Sequence, residues 1–272
     1  MNDGHDSEVY KHELLDLLRR IDLVLNKCGV EYFAVYGTCL GAVREHQIIP
    51  WDDDIDIAVW REDFSRTLKI LSESSEQIYA GDRTTVPGCP SRCGRIFNRV
   101  GHKASIEKRR AYIDLHVIDH APKSNFHFYL SVLCYVGVSR IIQKRLGVLC
   151  DHHKYAYKFA DVLAFPLRIF STGLLTRLAD WVYIYKSPSS LVKITFDGNR
   201  KRYSAEVFSR SERVCFSGQS IPVPIGYDEY LTQCYGDWRT PPPKSERFSH
   251  AFTRDGSSWT VPIPADYVRP LH

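Results

Sequence analysis

The stretch that most constrains this chain is Pro50-Trp51-Asp52-Asp53-Asp54-Ile55-Asp56-Ile57-Ala58-Val59. It packs four carboxylates into five positions and then turns apolar. From Asp54 onward the residues alternate. Ile55, Ile57 and Val59 face one way, and Asp54, Asp56 and Ala58 the other, which is the period of a half-buried strand. Two residues of rise would separate the Cα atoms of Asp54 and Asp56 by about 6.5–7 Å on one face. Like charges so close raise each other's energy unless a cation lies between them. Mg2+ is the expected cation, with Mn2+ as the alternative, because hard oxygen ligands suit such ions and carboxylates commonly bridge them to substrate phosphates. The plainer reading, an acidic loop running into a strand, leaves two Asp inside an Ile-Ile-Val strand unexplained.

Upstream, Leu14, Leu18, Ile21, Leu25 and Cys28 recur at helical spacing, and Leu17 and Val24 widen the stripe. Asp6 or Ser7 is the expected start of this helix and Gly29 its stop. Residues 32–36 read as a buried strand that runs into Gly37-Thr38-Cys39-Leu40-Gly41-Ala42-Val43-Arg44. A strand that stops at glycine before a helix can bring backbone N–H groups close to an anion. Thr38 can cap that helix or offer its hydroxyl to a phosphate. Arg44 can add a bidentate phosphate contact or form a surface ion pair. The pair Gly37-Thr38 gains weight from the Asp-x-Asp strand that begins 16 residues after Thr38.

Downstream, Phe64, Leu68 and Leu71 mark a second helix, and the Gly- and Pro-rich residues 79–94 read as a loop. Residues 95–100 and 103–107 are expected to form a hairpin turning at Gly101-His102. Residues 112–119 alternate again, with Ile113, Leu115 and Val117 on one face and Tyr112, Asp114 and His116 on the other. Asp114 is an acid inside an apolar strand, costly to bury without a partner. A cation shared with Asp54 and Asp56 on an adjacent strand would remove that cost, and an exposed sheet edge is the alternative. His116 and Asp119 are weaker candidates that can equally be solvated. Cys89 and Cys93, with His102 nearby, resemble half of a zinc site, but no second ligand pair is visible.

Residues 125–186 are rich in aromatic and aliphatic side chains with scattered Lys and Arg. Helices are expected there, one marked by Tyr129, Val132, Leu133, Val136 and Arg140, another by Leu174, Leu178, Trp181 and Val182. They suit a lid over the catalytic sheet or a peripheral contact with a membrane surface. Residues 193–202 read as an exposed turn. The eight prolines from Pro222 to Pro270 predict an irregular segment that wraps the body. The expected division is 1–124 as catalytic core, 125–190 as helical insertion and 191–272 as a segment packing back on the core. The eight cysteines come without an apolar N-terminal signal, which favours free thiols and a cytoplasmic place, or one at the inner face of the membrane. A net charge of +4 in 272 residues argues against nucleic acid as partner and is compatible with a small anionic substrate.

Three of these blocks, 37–44, 49–57 and 113–119, together with a fourth from Phe216 through Tyr235-Gly236-Asp237-Trp238 to Pro242, resemble the LicD family of phosphotransferases, to which fukutin and fukutin-related protein are also similar. That family resembles the DNA polymerase beta-like nucleotidyltransferases. The resemblance implies an α+β fold, a nucleotidyltransferase-like mixed β-sheet with flanking helices. It also implies Asp54 and Asp56 as the metal-binding pair, Asp114 as the third acid, and Gly37 and Thr38 at the nucleotide phosphates. His116-Val117-Ile118 departs from the Phe-Pro-Leu that members often carry there, which leaves open the shape beside Asp114.

The implied activity is metal-dependent transfer of a phospho-alcohol (phosphocholine, phosphoethanolamine or a polyol phosphate) from a CDP-linked donor to a glycan acceptor in cell-surface polysaccharide synthesis. Arg44, Arg95 and Arg99 would then offset charge on the leaving nucleotide. The alternatives are transfer of a nucleoside monophosphate to the acceptor, or a non-catalytic nucleotide- or metal-binding protein.

Overall fold

The computed structural model describes residues 3–82, 93–98, 111–146, 165–195, 201–243 and Arg247. Strand β5 (Tyr112–His120) is the spine of a mixed sheet. Its Ile113, Leu115, Val117 and Ile118 are all buried, so both faces of this strand are covered. On one side β5 pairs in parallel with β2 (Asp56–Trp60), which pairs antiparallel with the short β1 (Phe33–Ala34). The other side of β5 is shared. Its first half pairs with β4 (Gly94–Asn98) and its last residues with β6 (Leu191–Ile194). β3 (Ile78–Gly81) and β7 (Tyr203–Ser204) extend the sheet beyond β4 and β6.

Helix α1 (Asp3–Lys27) buries Leu14, Leu17, Leu18, Ile21 and Leu25, as the apolar spacing predicts. It begins earlier than Asp6 or Ser7 and gives way at Gly29, whose φ of 63° is one that glycine adopts freely. α2 (Tyr36–Leu40) is short and continues into a π turn, Gly41–Glu45. α3 (Arg61–Ser74) follows β2, with Glu62 and Asp63 in its first turn, where the helix dipole favours acids. α4 (Asn125–Leu146) and α5 (Thr172–Tyr183) pack on each other around Phe128, Val132, Tyr135, Leu175 and Tyr183, a cluster separate from the main core.

Several expectations change on contact with the structure. Asp54 precedes β2, which begins at Asp56, so the two acids do not sit on one regular strand. Residues 78–81 form β3 and not a loop; β4 takes β3 as its antiparallel partner, while residues 103–107 lie outside the described residues. Lys193 is not in an exposed turn. It is buried in β6, its ammonium 3.4 Å from the Tyr183 ring centroid and donating to the Tyr183 carbonyl. A Lys/Arg excess signalled solvent, but pairing with β5 draws this one inward over an aromatic face.

In α5 it is Leu175 and Tyr183 that face the core, whereas Leu174 and Trp181 face outward. The described part of the C-terminal region is regular. β8 (Ser211–Phe216) and β9 (Gln219–Pro224) form a hairpin, followed by α6 (Tyr227–Tyr235). Its two turn residues, Ser217 and Gly218, have φ of 50° and 79°, the primed turn that matches strand twist. Pro222 and Pro224 misled because a two-stranded ribbon has open edges where a missing N–H costs nothing. Phe216, Ile221, Val223, Tyr230 and Leu231 all join the main core.

Candidate active site

The site grows from the start of β2. Asp56 is fixed by its backbone on both sides. Its N–H donates to Thr38 Oγ1 at 2.8 Å, and its carbonyl accepts the Val35 N–H at 3.1 Å. Thr38 therefore spends its buried hydroxyl's acceptor capacity on the neighbouring strand, and not on capping α2, whose N-cap is Val35. In the parallel ladder the Cα partner of Asp56 is Asp114. The register also places Arg95 of β4 opposite Asp114 on its other side. Arg95 Nε donates to Asp114 Oδ1 at 3.2 Å, and the guanidinium lies 4.5 Å from the Tyr112 ring centroid.

The carboxylates are crowded. Burial pushes the Asp54 carboxyl well above the usual range, and the charges of Asp56, Asp52 and Asp53 push it further. Burial also raises Asp114, against the opposing pull of Arg95. Asp56 is answered by His116, whose Nε2 lies 2.8 Å from Asp56 Oδ1. Burial alone would lower the His116 pKa, but Cys93 and Asp56 outweigh it and hold the ring well above the ordinary imidazole value. Neither His116 nor Asp119 is solvated. Asp119 is buried in a bidentate pair with Arg61, at 2.7 Å and 2.6 Å, and forms part of the framework.

The glycine turn is also occupied by the chain itself. A Cβ on Gly37 would collide with Asp52 Oδ2, so the lack of a side chain there admits the Asp52 carboxylate. Tyr36, just before it, takes a φ of 48°, and its N–H donates to the Tyr230 hydroxyl at 2.9 Å. Arg44 bonds to the Trp238 carbonyl at 2.8 Å and to Glu45 at 2.9 Å, tying the π turn to the C-terminal segment. Arg99, Cys89 and His102 lie outside the described residues. Cys93 Sγ lies 3.0 Å from His116 Nδ1.

His116 stands closer to the acids than its place in the sequence suggested. The signal available was its place two residues after Asp114, on the same face of the alternating strand. Asp52 and Thr38 carried no comparable signal for what they touch.

Residues 29–130 match the family described as LicD/FKTN/FKRP, nucleotidyltransferase domain. The chain carries a LicD-family domain. The matched LicD-family segment contains Gly37, Thr38, Asp54, Asp56, Arg95 and Asp114. Over 257 residues the chain is 25% identical to the lipopolysaccharide cholinephosphotransferase LicD of Haemophilus influenzae, covering 87% of this chain and 92% of that protein. It is 32% identical over 59 residues to the human ribitol-5-phosphate transferase FKTN, covering 22% of this chain and 13% of the relative. It is 42% identical over 50 residues to the mouse ribitol 5-phosphate transferase FKRP, covering 18% and 10%.

Proposed function

We propose that this chain is a phosphotransferase that moves a phospho-alcohol (phosphocholine, phosphoethanolamine or a polyol phosphate) from a CDP-linked donor to a glycan acceptor. Support comes from the names of its relatives, a cholinephosphotransferase and two ribitol-phosphate transferases. The observation that carries the reading is the register that sets Asp56 beside Asp114, with Asp54 two residues from Asp56.

A divalent cation, Mg2+ or Mn2+, belongs to this proposal. The donor set fits one, because Asp54 is destabilised by burial and by three neighbouring acids, and these are hard oxygen ligands. Asp54 and Asp56 would hold it, with Asp114 as third acid. Among the described residues no group of three His, Cys, Asp or Glu side chains is arranged to hold a metal ion, and Asp114 is turned to Arg95. Bound there, such an ion would neutralise charge on the donor phosphates.

In the reaction, the acceptor hydroxyl oxygen attacks the phosphorus bearing the alcohol, and the bond from that phosphorus to CMP breaks. Asp114 takes the hydroxyl proton, a role suited to a carboxylate whose pKa is raised by burial. Arg95, already beside the acids, answers the charge on departing CMP. Gly37 and Thr38 are assigned to the phosphate end of the donor.

A peripheral contact with an anionic membrane surface is part of the same reading. α5 presents Leu174, Arg177 and Trp181 on one face, with Leu174 49% and Trp181 71% exposed. Phe165 and Ile169 in the turn before it are exposed as well. Exposed aromatic and basic side chains on a helix suit a lipid headgroup layer. Among the described residues no helix is long and apolar enough to cross a membrane.

The deciding experiment incubates the protein with CDP-choline, CDP-ethanolamine or CDP-ribitol, Mg2+ and a glycan acceptor. CMP release with the phospho-alcohol on the acceptor is expected. Diphosphate release, with the nucleotide on the acceptor, would move the reading to nucleotidyl transfer. Asp56→Asn should lower transfer by at least about 100-fold with an unchanged circular dichroism spectrum; full turnover in that variant ends the proposal.

A further inference from the structure

We infer that His116 is a positioning residue that locks the carboxylate of Asp56 for the reaction proposed above, a reading on which this inference rests. His116 stands on β5 two residues beyond Asp114 and is 1% exposed. Its Nδ1 lies 2.8 Å from the Thr195 carbonyl oxygen. A carbonyl oxygen can only accept, so Nδ1 carries a hydrogen. The other nitrogen, Nε2, lies 2.8 Å from Asp56 Oδ1, and one proton must lie between them. The ring is thus tethered at both ends, and its second end points at one oxygen of the acid.

The anchor is itself rigid. Thr195 closes the β5–β6 ladder, its N–H donating to the Val117 carbonyl at 2.8 Å. Cys93 Sγ donates to the same Thr195 carbonyl at 3.2 Å and lies 3.0 Å from Nδ1. Tyr36 packs edge-on against the ring with centroids 5.2 Å apart. Strands β2 and β5, the residues flanking β4 and β6, and the α2 entrance therefore converge on one imidazole, and that imidazole holds the rotamer of Asp56. Outer partners of this kind are what orient the ligands of metal and phosphate sites. The arrangement also sets an imidazole nitrogen against the acid cluster on the β2 side, as Arg95 sets a guanidinium on the β4 side.

The test uses the full chain, with Mn2+ as probe read by the electron paramagnetic resonance signal of the free ion. A Gln at position 116 can still reach Asp56, whereas an Asn can reach only the Thr195 carbonyl. His116→Asn should weaken Mn2+ binding about 10-fold or more, and His116→Gln should recover it to within about threefold of the wild type. Equal weakening in both variants, or none in His116→Asn, overturns the inference. A wild-type chain that binds no Mn2+, or one whose binding survives Asp54→Asn, overturns the functional reading and this inference with it. Loss in Asp54→Asn with no loss in His116→Asn overturns the inference alone. A second measurement needs no variant of His116. In 15N-histidine-labelled wild type the Nε2 signal of His116 should move in Asp56→Asn. An Nε2 signal unchanged in that variant overturns the assignment.

Discussion

Asp56 of β2 and Asp114 of β5 are register partners on adjacent parallel strands, and each is answered by a different cation-capable side chain. His116 takes Asp56 at 2.8 Å, and Arg95 takes Asp114 at 3.2 Å. Two acids side by side in a sheet repel, so their conformations persist because each has its own partner. That arrangement leaves Asp54, just ahead of the strand, as the acid with most to gain from a cation.

The hydroxyl of Thr38 should matter to stability as well as to chemistry. Thr38→Val keeps the shape but leaves the buried Asp56 N–H without its acceptor, which costs about 1–3 kcal/mol. For a chain of this size that lowers the thermal midpoint by about 2–4 °C per kcal/mol. Thr38→Ser should restore most of it. Calorimetry checks this, and an unchanged midpoint in the Val variant would show that Thr38 does not hold the strand start.

A side chain at Gly37 should displace the Asp52 carboxylate. Gly37→Ala places a methyl against the Asp52 carboxylate, the far end of a flexible side chain that must turn off its rotamer, and should cost about 0.5–1.5 kcal/mol. The strain is local to that pair, so the same change should be milder in an Asp52→Ala background. Urea unfolding of the two single variants and the double variant measures the coupling. Strictly additive costs would place the origin elsewhere.

The α5 face should govern attachment to lipid. Arg177→Ser should lower partitioning onto phosphatidylglycerol-rich vesicles about fivefold, the worth of one basic residue near an anionic surface. Trp181→Ser should lower it further, and added salt should mimic the Arg177 change. Vesicle co-sedimentation indifferent to both substitutions counts against a membrane role for this helix.

Much of the site was legible in the order of residues. Period-two alternation marked both acid-bearing strands, although the one-sided burial it implies is not what the structure has: Asp56 to Val59 are all buried, and both faces of β5 are covered. Helical spacing marked α1, because burial of one face imposes that pattern on a helix. Local pattern also gave Asp114 and His116 a common face.

What only the tertiary structure decided is which groups answer which. Strand β3, inside a Gly- and Pro-rich stretch, exists because β4 offers it a partner. Lys193 is buried because β6 fills the free edge of β5 beyond β4. Thr38 meets the Asp56 backbone, Asp52 fills the space over Gly37, and Asp119 finds Arg61. Periodicity along a chain fixes the direction in which a side chain points. Partner strand, register and the far end of a long side chain depend on contacts between distant segments, and those form only when the sheet closes.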